Sequence, residues 1–161
     1  MYSVRKLSRG DTSLDQIAAL DIVAWGGTPE PDLVRAGRAR LDRELAGGDA
    51  ESVAVFFAGW AETIVAVCRV MRQADARDTW VAYGLAVHPA HRRRGLARRL
   101  YHAAIEHVRR HGGVTFRAYT HDDNTASRAF HEAMGLGPGT PTTAPDGDHL
   151  IGYMVTLHTL P

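Results

Sequence analysis

The stretch Val87-His-Pro-Ala-His-Arg-Arg-Arg-Gly-Leu-Ala-Arg-Arg-Leu100 decides how this chain is read. Five of the eight residues from Arg92 to Arg99 are arginines, yet Gly95-Leu96-Ala97 interrupts them with little side-chain bulk. A strand-like run, WVAYGLAV, ends at Val87, Pro89 turns the chain, and a helical pattern begins near Gly95. The first amides of a helix have no intrahelical acceptor and carry the positive end of its dipole. That geometry binds phosphate, provided side chains leave the amides open, which explains Gly95 and Ala97. The arginines then ring the site and neutralise a polyanion. No Gly-Lys-Ser/Thr follows, so the pattern is not a P-loop, and it lacks the G-x-G-x-x-G of a dinucleotide site.

Composition makes this cluster a local device. The chain has 161 residues, 45% of them hydrophobic, enough for one domain, 1–161, with its own core. Nineteen Lys and Arg face eighteen Asp and Glu, a formal charge of +1, which argues against a general nucleic-acid binder. Cys68 is the only cysteine, so neither an internal disulfide nor a cysteine metal site is expected. His107 and His111 stand four apart on a helical pattern, but without a third ligand no metal is expected. The N-terminal stretch has no apolar leader core, and no apolar run approaches membrane-spanning length. The expectation is a cytoplasmic protein with neither nucleic acid nor membrane as partner. Monomer and homodimer both remain open.

Outward from the opening stretch, the pattern alternates strands and helices. Tyr2–Ser8 suits a short strand. Asp11, Thr12 or Ser13 can cap a helix over Leu14–Trp25. GGTPEP breaks it, and Pro31 suits the first turn of a helix to about Leu45. SVAVFFA and TIVAVCRVM are strand-like, joined through Gly59–Glu62. The helix from about Gly95 to His111 places Leu96, Leu100, Ala104 and Val108 on one face. VTFRAYT is a strand. Asp122 or Asp123 can cap the helix Thr125–Met134, and the chain closes with LIGYMVTLH.

Arg92-x-x-Gly95-x-Ala97, preceded by a strand and Val87-x-Pro89, resembles motif A of the GNAT superfamily of N-acetyltransferases, where Gln/Arg-x-x-Gly-x-Gly/Ala binds the pyrophosphate of acetyl-CoA. Downstream, Asn124-TASRAF-His131-EAM-Gly135-Leu136 resembles the family's Asn-(six)-Tyr-(three)-Gly-Phe segment. The resemblance implies an α/β (α+β) fold. Its sheet is mixed and mostly antiparallel, with six to seven strands splayed between the fourth and fifth, flanked by about four helices. It implies an enzyme that transfers an acetyl group from acetyl-CoA, as co-substrate and without metal, to a primary amine of a small molecule or peptide. A protein lysine or N-terminal acetyltransferase and a catalytically silent acyl-CoA-binding module are the alternatives.

The same resemblance distributes roles. Arg92, Arg93, Arg94, Gly95, Leu96, Ala97 and Arg98 form the phosphate turn, with Arg93, Arg94 or Arg98 meeting the adenosine phosphate. Val87 pairs with pantetheine, Asn124 steadies it or caps a helix, and the amide of Ala86 or Val87 meets the oxyanion. Gly84 marks a bulge or makes room for a neighbouring side chain. The chain departs from its relatives twice. Val81 stands where one branch of the family carries a glutamate base, leaving Tyr83 and Asp78, then Glu30, Asp32 and His121, as candidates. His131 stands where the family's tyrosine protonates the departing thiolate, as its replacement or as an exposed bystander. Trp25 and Glu30, in the loop between the first two helices, are candidates for holding the acceptor. Trp25 in the core is the other reading.

Overall fold

The computed structural model describes residues 1–8, 13–47 and 52–159. Asp11 and Thr12, two of the three cap candidates, lie outside them. The chain runs β1 (Ser3–Lys6), α1 (Leu14–Ala24), α2 (Pro31–Gly47), β2 (Val53–Trp60), β3 (Thr63–Arg72), β4 (Thr79–Val87), α3 (Leu96–Arg110), β5 (Thr115–His121), α4 (Thr125–Ala133), β6 (Thr140–Thr143) and β7 (His149–Thr156). The strands hydrogen-bond in the order β1-β2-β3-β4-β5-β7-β6, with β4 and β5 parallel and the other neighbours antiparallel. The register of β4 with β5 runs from Thr79↔Thr115 to Ala82↔Ala118. Both strands continue past that point, β4 to Val87 and β5 to His121.

The chain forms two compact units, and β4 and α3 each pass from one into the other. Residues 1–70 and 84–104 form the first, and residues 71–83 and 105–161 the second.

In the first unit, α1 and α2 pack against the strands through Leu14, Ile17, Ala18, Leu20, Leu41, Val55, Phe57, Ile64, Val67 and Ala86. Along α1, Leu14, Ile17 and Leu20 are buried, whereas Ile22 and Val23 are only half-buried. Gly37 lets the helices approach: a β-carbon there would stand 3.1 Å from that of Ala18. Ser13 occupies the N-cap of α1 without a side-chain hydrogen bond. Ala61-Glu62 closes the β2–β3 hairpin, with Ala61 at a φ of 52°. Central β3 is buried from Ile64 to Val70, so its apolar run needs no alternation. Cys68 within it is fully buried, and burial pushes its thiol up to about 12, which leaves it inert as a nucleophile.

In the second unit, Trp80, Phe116, Ala118, Ile151 and Tyr153 are buried among strand residues, with Ile105 and Val108 from the end of α3. Trp80 meets the rings of His107 and His111, and the Arg72 guanidinium lies 5.1 Å from its ring centre. The α4 cap is Asn124, whose side chain accepts from the amide of Ser127. The expected caps, Asp122 and Asp123, lie in the preceding turn, one and two residues too early.

Candidate functional site

The turn between β4 and α3 is built from backbone outward. The amide of His88 donates to the carbonyl of Val65 at 2.8 Å, which fixes the end of β4 against β3. Pro89–His91 forms a single 3-10 turn, capped by His88, whose Nδ1 accepts from Ala90 N at 3.2 Å. Arg93 and Gly95 then adopt left-handed backbone, at φ of 59° and 74°. A non-glycine residue there carries strain of order 1 kcal/mol, and such strain gathers where backbone groups are aimed at a ligand. Nothing lies within 4 Å of a β-carbon built on Gly95, so its conformation, rather than crowding, calls for glycine. The first amide of α3 to find a helical acceptor is that of Arg99, which donates to Gly95 O at 3.1 Å. The amides of Leu96, Ala97 and Arg98 precede it, in the position of orphan donors.

The side chains around this turn divide into two kinds. Arg93, Arg94 and Arg98 are exposed. Arg92 is not available in the same way: its Nε donates to Val87 O at 3.2 Å and its Nη2 to Ala24 O at 2.8 Å. Arg99 likewise donates to Tyr2 O. The expected ring of arginines is therefore corrected to three free ends and two ties. Arg92 contributes to the turn by bracing it, and Val87 already accepts a bond from it. Leu96 is buried at the core, while Ala97 is half-buried. Tyr2, Trp60, His88 and His91 flank the turn as a ring cluster, with the Tyr2 hydroxyl 2.9 Å from His91 Nδ1. Desolvation, then the positive fields of His88 and Arg94, hold the His91 imidazole below its ordinary value.

Along β4, Tyr83 is half-buried, Ala86 is buried and Gly84 has a φ of 58°. The space beside Gly84 is filled by a neighbour: a β-carbon there would lie 2.0 Å from Nη1 of Arg69. Arg69 is itself buried in β3 and is paired with Asp21 of α1. Neither residue emerged from the sequence, although an arginine inside the apolar run Ile64–Val70 was a visible signal.

The other candidates lie as follows along the chain. Asp78 is exposed at the far end of β4, nine residues before Val87, or about 30 Å of extended chain. Its carbonyl takes the amides of Val114 and Thr115, and Thr79 Oγ1 donates to its carboxylate, which suits a strand start rather than a base at the Val87 end. His131 is no exposed bystander: it is 3% exposed, its Nε2 lies 3.4 Å from Ser127 Oγ, and its ring meets that of Tyr153 at a tilt, centre to centre 5.0 Å. Desolvation lowers its imidazole to about 4, so at neutral pH it carries no extra proton to give. Trp25 is 72% exposed and so is no core residue; Glu30 is exposed five residues further along the same loop. Asp32 pairs with Arg35 at 2.8 Å, and His121 stands 3.9 Å from Asp148, both at the surface.

Among the described residues, no group of three or more His, Cys, Asp or Glu side chains is arranged to hold a metal. No helix among them is long and apolar enough to cross a membrane. The geometry thus offers an amide-lined, arginine-flanked turn suited to a polyanion, at the end of a strand whose middle carries no carboxylate.

Residues 16–136 match the acetyltransferase (GNAT) family. Solved structures share the fold at low identity. YncA of Salmonella typhimurium, determined with its cofactor acetyl-CoA, is 18% identical with a TM-score of 0.69, over 97% of this chain and 94% of that one. An aminoglycoside 6'-acetyltransferase type Ii is 18% identical with a TM-score of 0.76, over 99% of both. The ribosomal-protein-S18-alanine N-acetyltransferase of Escherichia coli is 18% identical with a TM-score of 0.72, over 98% and 94%. No curated protein matches the sequence significantly. With the family matched over most of its length and the motif A turn in place, the chain belongs to the GNAT acetyltransferases. It is an acetyl-CoA-dependent acyltransferase.

Proposed function

We propose that this enzyme acetylates a primary amine of a small molecule or peptide by direct attack of the amine on the thioester of acetyl-CoA. The observation that carries this reading is the turn Arg92–Ala97, where left-handed Arg93 and Gly95 precede the first amides of α3. Those amides take the pyrophosphate, and Arg93, Arg94 and Arg98 neutralise the remaining phosphate charge. Asn124, whose Oδ1 caps α4, steadies the pantetheine arm through its amide nitrogen.

An amine with a pKa near ~10 is mostly protonated at neutral pH and must lose a proton before its lone pair attacks. Tyr83, half-buried on β4, is our candidate for relaying it: its hydroxyl accepts a hydrogen bond from the amine, directly or through water, and the proton passes along that chain to solvent. The amide of Ala86 or Val87 donates to the oxyanion, the C–S bond breaks, and CoA leaves as a thiolate. A thiol titrates near ~8.5, so the thiolate leaves without strong acid help. This fits a histidine at position 131 that is buried and neutral. Trp25 and Glu30, exposed after α1, suit the face and charge of a cationic acceptor. A cytoplasmic location follows from the co-substrate.

Release of CoA thiol is measured against a panel of small amines, peptides and proteins. Turnover on small amines or peptides supports the reading, and turnover on protein lysines or N-termini alone replaces it. Acetyl-CoA binding with no turnover on any acceptor makes the chain a silent binding module. Ala97→Glu sets a carboxylate at the mouth of the turn and is expected to abolish acetyl-CoA binding in calorimetry.

A further inference from the structure

Gly84 and Arg69 share one volume. Arg69 leaves β3 fully enclosed, 3% exposed, and its Nη1 stands 2.0 Å from where a β-carbon of residue 84 would be. The same Nη1 lies 3.5 Å from the carbonyl of Gly84, while Nη2 is bonded to the carboxylate of Asp21 on α1. Nε, also buried, has no partner. Asp21 is itself 15% exposed and lies 3.7 Å from Arg40 of α2, which pairs in turn with Glu44. A chain of charges thus runs from the two helices to one point on β4.

That point is where β4 changes character. Its register with β5 ends at Ala82, and at Gly84 the backbone turns to a φ of 58°, which a regular strand does not adopt. Beyond the bend lie Leu85, Ala86 and Val87, whose amides include the proposed oxyanion donors. Oxyanion stabilisation depends on donors held in place before the charge develops. A cation braced by a carboxylate and wedged under a bend holds that direction against relaxation to an ordinary strand. An arginine without the wedge role would be an expensive choice here, since burying its charge demands a partner and full hydrogen bonding.

We propose that Arg69, fixed by Asp21, is a positioning residue for catalysis: it holds the Gly84 bend and so aims the amides of the last β4 residues at the thioester carbonyl. The inference rests on the reading of this chain as an acetyltransferase with the reacting carbonyl beside that end of β4.

The test compares Arg69→Lys, Arg69→Gln, Asp21→Asn and Gly84→Ala with the wild type, on the amine found in the acceptor panel. Arg69→Lys keeps a cation for Asp21 but cannot fill the volume beside Gly84. Its melting temperature is expected to fall by a few degrees for the space it leaves, while its acetyl-CoA dissociation constant, measured well below that temperature, stays near wild type and kcat falls at least tenfold. Gly84→Ala, which displaces the guanidinium, is expected to lose kcat similarly. In the double variant Arg69→Lys, Gly84→Ala, the two losses are expected to be less than multiplicative, because both act on one volume. Amide chemical shifts of Leu85–Val87 in the free protein report the bend directly and are expected to move in every variant. Wild-type kcat in Arg69→Lys, or unmoved Leu85–Val87 shifts, overturns the proposal. Failure of the wild type to bind acetyl-CoA at all would instead overturn the functional reading beneath it.

Discussion

Arg92 reaches the carbonyl of Ala24 at 2.8 Å, across sixty-eight residues of sequence, and fastens the motif A turn to the last residue of α1. The residue next to Ala24 is Trp25, exposed in the loop proposed to receive the acceptor. One guanidinium therefore supports both the turn proposed to bind phosphate and the base of the loop proposed to receive the acceptor. It does so with a planar fork that donates in two directions at once, which a lysine ammonium cannot copy in the same geometry.

The arginines of the turn are accordingly expected to separate by experiment. Arg92→Ala should lower the melting temperature by a few degrees, through the loss of about 1 kcal/mol from its exposed hydrogen bonds to two carbonyls. Arg94→Ala should leave the melting temperature unchanged and weaken acetyl-CoA binding several-fold. Calorimetry across a salt series should show a shallower salt dependence for Arg94→Ala than for Arg92→Ala, because only the former removes a free charge facing the phosphates. Equal salt slopes would place Arg94 away from them.

His131 makes a prediction about pH. Its folded-state value, about 4, lies below the 6.5 of the free side chain, so the unfolded chain binds the extra proton first as pH falls. Stability linked to this residue is complete above pH 6.5 and is lost on the way down towards pH 4, by roughly 3 kcal/mol at full effect. Urea unfolding at a series of pH values should show this slope in the wild type and a flatter one in His131→Phe. Turnover of His131→Phe should stay within a few-fold of wild type, with no change in the alkaline limb. A loss of tenfold or more with an intact fold would restore the role of proton donor.

The packing around Trp80 supplies a third test. A β-carbon on Gly113 would come within 2.2 Å of Val108 Cγ1 and 2.7 Å of Trp80 Cδ1. Gly113→Ala should cost about 1–3 kcal/mol of overpacking and shift the near-ultraviolet signal of the buried indole. Acetyl-CoA affinity measured well below the melting temperature should not change. An unaltered melting curve would mean that the α3–β5 connection yields more easily than its close contacts imply.

What the sequence disclosed and what it hid follow physical lines. The strand-turn-helix geometry from Val87 to Ala97 was legible because it is local: strand, proline, glycine and helix start fall within one short stretch, and each has its own conformational signature. Element order was legible for the same reason, and α3 showed its buried face through regular spacing. The α4 cap was left among Asp122, Asp123 and Asn124, all competent caps, and tertiary placement chooses Asn124. Distance along the strand was not legible at Asp78, which is near Tyr83 in number but precedes the start of a nine-residue strand that ends at Val87. Exposure was not legible at His131, which is buried rather than exposed, and at Trp25 the structure chooses the exposed of the two readings. The Arg69–Asp21 pair lay furthest from sight, because its residues are forty-eight apart and its purpose appears only beside Gly84.

That shared volume also sets a rule for how the chain can drift. Gly84 cannot acquire a side chain while residue 69 is an arginine, and a shorter residue at 69 leaves a hollow under a bend that only glycine enters without strain. Neither substitution is neutral alone, so descendants should change both columns together or neither. Across its homologues, positions 69 and 84 are therefore expected to covary, with Asp21 as the third member of the set.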